Sequence, residues 1–99
     1  MLNKNLFIFA IISPKEEYFK SAKKALLNII EATKEEEGCI QFELHEDRTY
    51  LYLYEEWKDK ASLDTHYEKE YTKKVFKKYE NWLLKPVEVI KMNKLIRAK

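Results

Sequence analysis

The run Tyr54-Glu55-Glu56-Trp57-Lys58-Asp59-Lys60-Ala61-Ser62-Leu63-Asp64-Thr65-His66 sets carboxyl, indole and imidazole groups beside apolar residues. Imidazole is the side chain that changes charge near neutral pH, so His66 is the candidate general base or acid. A hydrogen-bonded structural histidine is the alternative, because His66 follows Leu63 by three positions on the edge of an apolar stripe. Glu55 is the accompanying acid, either catalytic or simply paired with a lysine. Trp57 either lines a pocket or anchors a core with its N–H satisfied. Tyr67, Tyr71 and Phe76 follow on the same helical stretch and are the candidate substrate-binding residues.

Other chemistries find no support. There is no C-x-x-C, no glycine-rich phosphate loop, no G-x-S-x-G elbow and no H-E-x-x-H. His45 and His66 are the only histidines, so no metal site is expected. Cys39, the single cysteine, directly follows a helix stop and reads as a packing thiol, since free cysteines behave as small hydrophobes.

The elements that must position these residues are legible from periodicity. Leu6 to Ile12 is a short apolar run with both alternating sets apolar, which describes a strand covered on two faces. Ser13-Pro14-Lys15-Glu16 predicts a helix start with a capping box. Phe19, Ala22, Leu26, Ile29, Ile30 and Thr33 give that helix its apolar stripe. Gly38, the only glycine, is expected to form a left-handed C-terminal cap. Cys39 to His45 alternates, with Ile40, Phe42 and Leu44 on one face. Glu46-Asp47-Arg48-Thr49 predicts a hairpin, and Tyr50 to Trp57 the next strand, with Tyr50, Tyr52 and Tyr54 opposite Leu51, Leu53, Glu55 and Trp57. Asp59 should cap a second helix carrying Leu63, Tyr67, Tyr71, Val75, Tyr79 and Trp82. Pro86 should end the helical region, and Val87 to Ile96 should be a final strand.

The order βαββαβ specifies an α+β, ferredoxin-like fold over residues 1–99, a four-stranded antiparallel sheet with two helices on one face. The other face carries apolar and tyrosine side chains and must meet something. A second copy is the economical answer, which predicts an isologous homodimer through that face. The net charge is +2, from 19 basic and 17 acidic residues, and only Arg48 and Arg97 are arginines. Lys69, Lys73, Lys74, Lys77 and Lys78 read as a solvated helix face, and no nucleic-acid partner is expected. No run approaches the roughly 20 apolar residues of a membrane span. Met1 to Asn5 does not look like a secretory leader, and the lone thiol suits a reducing cytoplasm.

Two segments together resemble the antibiotic biosynthesis monooxygenase domain family. Thr33-Lys34-Glu35-Glu36-Glu37-Gly38-Cys39-Ile40-Gln41-Phe42 matches the pattern T-x-x-E-x-G-C-x-x-[FY]. The pattern continues with E-x-W, here Glu55 and Trp57, then a leucine and a histidine on the next helix. The resemblance implies a dimeric ferredoxin-like fold with an apolar pocket between sheet and helices. It places Trp57 and His66 in that pocket and makes Glu55 the strand-end acid. The sequence also departs from the family: Tyr71 stands where many relatives have a second histidine, and Leu53 where cofactor-free polyketide oxygenases have an asparagine. Phe7, Ile8 and Phe9 replace the asparagine that haem-degrading members carry on their first strand.

The function this implies is a cofactor-independent monooxygenase acting on a quinol- or anthrone-like aromatic substrate. It would use molecular oxygen as co-substrate, with neither metal nor flavin. Two alternatives come from different classes: an isomerase-type enzyme processing a small phosphorylated carbonyl signal, which needs cations in its pocket, and a non-catalytic ligand-binding or stress-related dimer.

Overall fold

The computed structural model describes residues 5–95 and residue 97. Residues 1–4, where a leader was discounted, and Ile96, the expected end of the last strand, lie outside the described residues. The strands are β1 (Leu6–Ile12), β2 (Cys39–Glu46), β3 (Leu51–Trp57) and β4 (Glu88–Met92). They form one antiparallel sheet in the order β2-β3-β1-β4, the ferredoxin-like arrangement predicted above. The doubly apolar β1 lies inside the sheet, between β3 and β4.

The helical regions are each broken once. The first consists of a 3-10 turn (Glu16–Tyr18), α1 (Phe19–Leu27) and α2 (Ile30–Lys34). The second consists of α3 (Lys60–Glu68) and α4 (Glu70–Trp82). Lys69 makes the second break with an extended backbone, φ −66° and ψ 140°, although no glycine or proline is near. Packing imposes the bend: α3 lies against β3, whereas α4 lies against α1.

One sheet face is the core floor. Ile8, Ala10 and Ile12 of β1 and Leu51, Leu53 and Trp57 of β3 are buried there beneath Ala22, Leu26, Leu63 and Val75 of the helices. The opposite face keeps Phe9, Ile11, Tyr52 and Tyr54 only half-buried, and Ile90 is 46% exposed. Phe9 stacks on Tyr52 across the strands, with ring centres 5.6 Å apart.

Four local expectations are corrected. The capping box at Ser13 and Glu16 does not form. Instead Pro14 bridges to Leu83, Lys15 N–H donates to the Trp82 carbonyl at 2.7 Å, and Leu84 N–H donates to the Ser13 carbonyl at 2.9 Å. Long-range backbone pairing thus outcompetes the local cap. The Cys39–His45 alternation is broken by a bulge between Cys39 and Gln41, which leaves Ile40 51% exposed and turns Cys39 to the side of Phe42. The final strand runs only from Glu88 to Met92, and the helix before it ends at Trp82, ahead of Pro86. Gly38 does adopt a left-handed φ of +87°, but in the turn entering β2 rather than as the residue after the helix cap.

The hairpin forms without Asn-Gly chemistry. Asp47 Oδ1 accepts from the N–H groups of Thr49 and Tyr50, and this holds Arg48 at φ 78°.

Candidate active site

β3 delivers Glu55 and Trp57 to the helix-covered face, two residues apart as a strand requires. Asp59 then starts α3 at once: its Oδ1 accepts from Ser62 N–H and Ser62 Oγ, each at 2.8 Å. That cap fixes the phase of α3 and brings His66 back over the end of β3. The His66 ring centre lies 4.9 Å from Trp57 and 5.5 Å from Phe42. His66 is 3% exposed.

Both hydrogen-bonding groups at the strand end are satisfied by carboxyls. Trp57 Nε1–H donates to Glu55 Oε1 at 2.9 Å. His66 Nδ1 lies 2.8 Å from Glu36 Oε2, and the Tyr71 hydroxyl donates to that same oxygen. Glu36 Oε1 is buried without a hydrogen-bond partner among the described residues. Burial pushes the Glu55 carboxyl up from 4.5 to about 7; the indole bond opposes this, and Glu36 adds to it. Burial and Glu55 push Tyr67 up to about 12, and burial with the Glu36 bond raises Tyr71 well above the ordinary phenol range. These phenols are donors at neutral pH.

A cavity of about 80 Å³ lies between the sheet and α1, α3 and α4. Its walls are mostly aliphatic, from Ile8, Leu26, Leu53 and Val75 among others. Glu55, His66 and Thr72 bring polar groups to it, and among the described residues no lysine or arginine lines it. Thr72 Oγ1 is buried without a partner among the described residues, so a hydroxyl stands ready for a ligand or a water. Phe76, 44% exposed, belongs to the same wall.

Of the residues singled out from sequence, His66, Glu55, Tyr67 and Phe76 line the cavity. Trp57 and Tyr71 do not; they stand behind it, Trp57 against His66 and Glu55, Tyr71 on Glu36. Glu36 and Thr72 were not singled out. Thr72, one position after Tyr71 and three before Val75, lies beside the apolar stripe, which is the signal that could have found it. Glu36 is the middle of three consecutive glutamates and the one on which the E of the T-x-x-E-x-G-C pattern falls; the fold shows its side chain buried on His66.

Cys39 is half-buried, with its thiol pushed up to about 11 by burial and by Glu36 and Glu55. It is a packing group, not a thiolate. Among the described residues no group of three or more histidine, cysteine, aspartate and glutamate side chains could hold a metal ion. Among them, too, no helix is long and apolar enough to cross a membrane.

Residues 6–78 match the family model described as antibiotic biosynthesis monooxygenase. The chain belongs to that family. Solved structures place this antibiotic biosynthesis monooxygenase domain among close folds. PA3566 from Pseudomonas aeruginosa superposes with a TM-score of 0.88 at 23% identity, over 97% of this chain and 99% of that one. Rv0793 from Mycobacterium tuberculosis gives 0.88 at 23%, over 96% and 99%. A conserved protein from Methanosarcina mazei Go1 gives 0.86 at 28%, over 94% and 95%. In sequence, the domain is 32% identical over 78 residues to the Synechocystis protein sll1783, which covers 76% of this chain. It spans about half the length of that curated relative, 50%.

Proposed function

We propose that this antibiotic biosynthesis monooxygenase domain is a cofactor-independent oxygenase acting on a hydroxylated aromatic substrate of quinol or anthrone type. One observation carries the reading: Glu55 and His66 face an apolar cavity that no lysine or arginine among the described residues lines. A carboxyl poised near 7 and an imidazole are suited to take a proton from a phenol or an anthrone methylene. The resulting carbanion or phenolate is electron-rich enough to pass an electron to dioxygen. For an anthrone, recombination gives a hydroperoxide, and loss of water leaves the quinone carbonyl. One oxygen atom stays in the product and the other leaves as water, so neither metal nor flavin is required. Thr72 Oγ1 and the Tyr67 hydroxyl are available to bond the substrate oxygens as charge develops there.

The cavity argues against a phosphorylated carbonyl as substrate. A phosphate beside Glu55 would meet a carboxyl and, among the described residues, no lysine or arginine. The half-buried aromatic face of the sheet supports a homodimer, with Phe9, Tyr52 and Ile90 against the same face of a second copy. A lone thiol suits a cytoplasmic setting.

The test is oxygen uptake by purified, metal-free protein against a panel of quinols and anthrones, with Glu55→Gln and His66→Gln run alongside. Enzyme-dependent uptake that falls at least tenfold in either variant supports the reading, tenfold being about 1.4 kcal/mol of transition-state stabilisation. Rates no faster than spontaneous oxidation, in protein shown to be folded, sink it.

A further inference from the structure

An imidazole that accepts a proton must present a bare nitrogen to its substrate. Which nitrogen is bare depends on what the other one bonds. His66 Nδ1 is engaged by Glu36 Oε2 at 2.8 Å, and both side chains are almost wholly buried. An ionised carboxyl only accepts, so it draws the ring proton to Nδ1 and leaves Nε2 bare. The Tyr71 hydroxyl, donating to the same oxygen, keeps the carboxyl from rotating. Trp57 and Phe42 flank the ring and hold its plane.

The backbone around Glu36 is built to fix that distance. Glu36 N–H donates to the Thr33 carbonyl at 3.0 Å, and Cys39 N–H closes the turn onto the Glu36 carbonyl at 3.1 Å. Gly38, at φ +87°, gives the turn its hand, and its carbonyl accepts from Lys58 N–H at 2.8 Å. A Cβ on Gly38 would stand 2.0 Å from Ser62 Oγ. The turn is therefore clamped to the junction of β3 and α3, the same junction that sets Trp57 and His66. This accounts physically for a threonine, a glutamate, a glycine and a cysteine at the spacing found between positions 33 and 39.

We propose that Glu36 is a positioning residue that holds His66 as the Nδ1–H tautomer, with Nε2 the proton-accepting atom toward the cavity, and that Tyr71 orients Glu36 in turn. The inference rests on His66 acting as a base in the proposed reaction, but its direct test needs no turnover.

Long-range proton–nitrogen NMR on 15N-labelled protein in a His45→Gln background reads the His66 ring alone. At about pH 8.5, above the ordinary imidazole range near 6.5, the expected pattern is Nδ1 protonated and Nε2 bare. Tyr71→Phe should keep that pattern, because the Glu36 oxygen remains. Glu36→Met, of similar volume and without an acceptor, should abolish it and lower kcat at least tenfold, with KM little changed. The wild-type spectrum decides the matter even if Glu36→Met does not fold. The reverse tautomer, or a ring still carrying both protons at that pH, overturns the proposal. The expected tautomer together with no oxygen uptake upholds Glu36 and refutes the oxygenase reading instead.

Discussion

Glu55→Gln should make the protein more stable at alkaline pH, and the size of the gain follows from where Glu55 sits. Its carboxyl is 5% exposed, against the indole of Trp57 and below an aliphatic cavity. Desolvation raises its pKa from 4.5 to about 7. The folded state therefore binds this proton more tightly than the unfolded chain does. Below about 4.5 both states are protonated and Glu55 is neutral in the balance. As pH rises through the window from 4.5 to about 7, the unfolded chain gives up the proton first, and stability falls. Above 7 the folded protein carries a buried charge, at a cost of about 3 kcal/mol when each pH unit is worth ~1.4 kcal/mol. A glutamine keeps the shape and can still accept from the Trp57 indole, but it has no charge to bury. Urea unfolding of wild type and Glu55→Gln, at intervals from pH 4 to 9, isolates this term because the other titrations are shared. The variant should gain about 3 kcal/mol on wild type across the window, and lose the oxygen uptake proposed above. Parallel stability curves would show that Glu55 titrates as an ordinary surface acid, and the argument for a poised carboxyl would fail with them.

Gly38→Ala places a Cβ at a left-handed φ and within 2.0 Å of Ser62 Oγ, so it should cost more than about 1 kcal/mol in thermal or urea unfolding. An unchanged midpoint would mean that the turn is not clamped. Phe76→Ala should open the cavity to larger rings at little cost in stability, since the side chain is 44% exposed. Against about 150 Å³ for an apolar cavity that takes a benzene, the cavity of about 80 Å³ takes the proposed aromatic substrate only with the partly exposed Phe76 displaced, and truncation makes that room permanent. Titration with one-, two- and three-ring quinones should therefore show a gain that grows with ring number. Ile90→Glu puts a charge on the aromatic sheet face and should give a monomer by sedimentation at micromolar concentration. A variant that sediments as wild type does would remove that face as the interface.

The sheet was legible in the sequence because alternation has one period and burial obeys it: Leu51, Leu53, Glu55 and Trp57 fall on one face as read. The Asp59 cap was legible for a similar reason, being a local signal that met no competitor. Where the reading missed, a non-local bond had won. Ser13 and Lys15 are drawn into pairing with residues 82–84, about seventy positions away, and no local pattern encodes that. The bulge at Ile40 likewise depends on the register of β2 against Trp57. At the site, His66 was visible as one of two histidines, and Glu55 by its place in the family's E-x-W. Glu36 was marked by the T-x-x-E-x-G-C pattern but given no role, because a glutamate between two others carries no local sign of the imidazole it meets thirty positions later. Trp57 reads either as a pocket wall or as a core anchor with its N–H satisfied, and Tyr71 as a substrate-binding residue. In the fold the indole donates to Glu55 and the Tyr71 hydroxyl to Glu36.

The clasp between Pro14 and Leu83 and the place of β1 inside the sheet bear on how the chain reaches this state. The first strand of the domain is apolar on both sides, and its two neighbours are made only at positions 51–57 and 88–92. Until then it has no edge to pair with, and its exposed apolar face invites aggregation. Nearly the whole length of the domain must be available before the sheet can close. Its contacts are therefore largely between distant residues, and a helical bundle of equal length should fold faster. The two helical regions, each able to form from neighbouring residues, can shield β1 only after the sheet they cover exists. The four-stranded sheet can close only once β4 has been made.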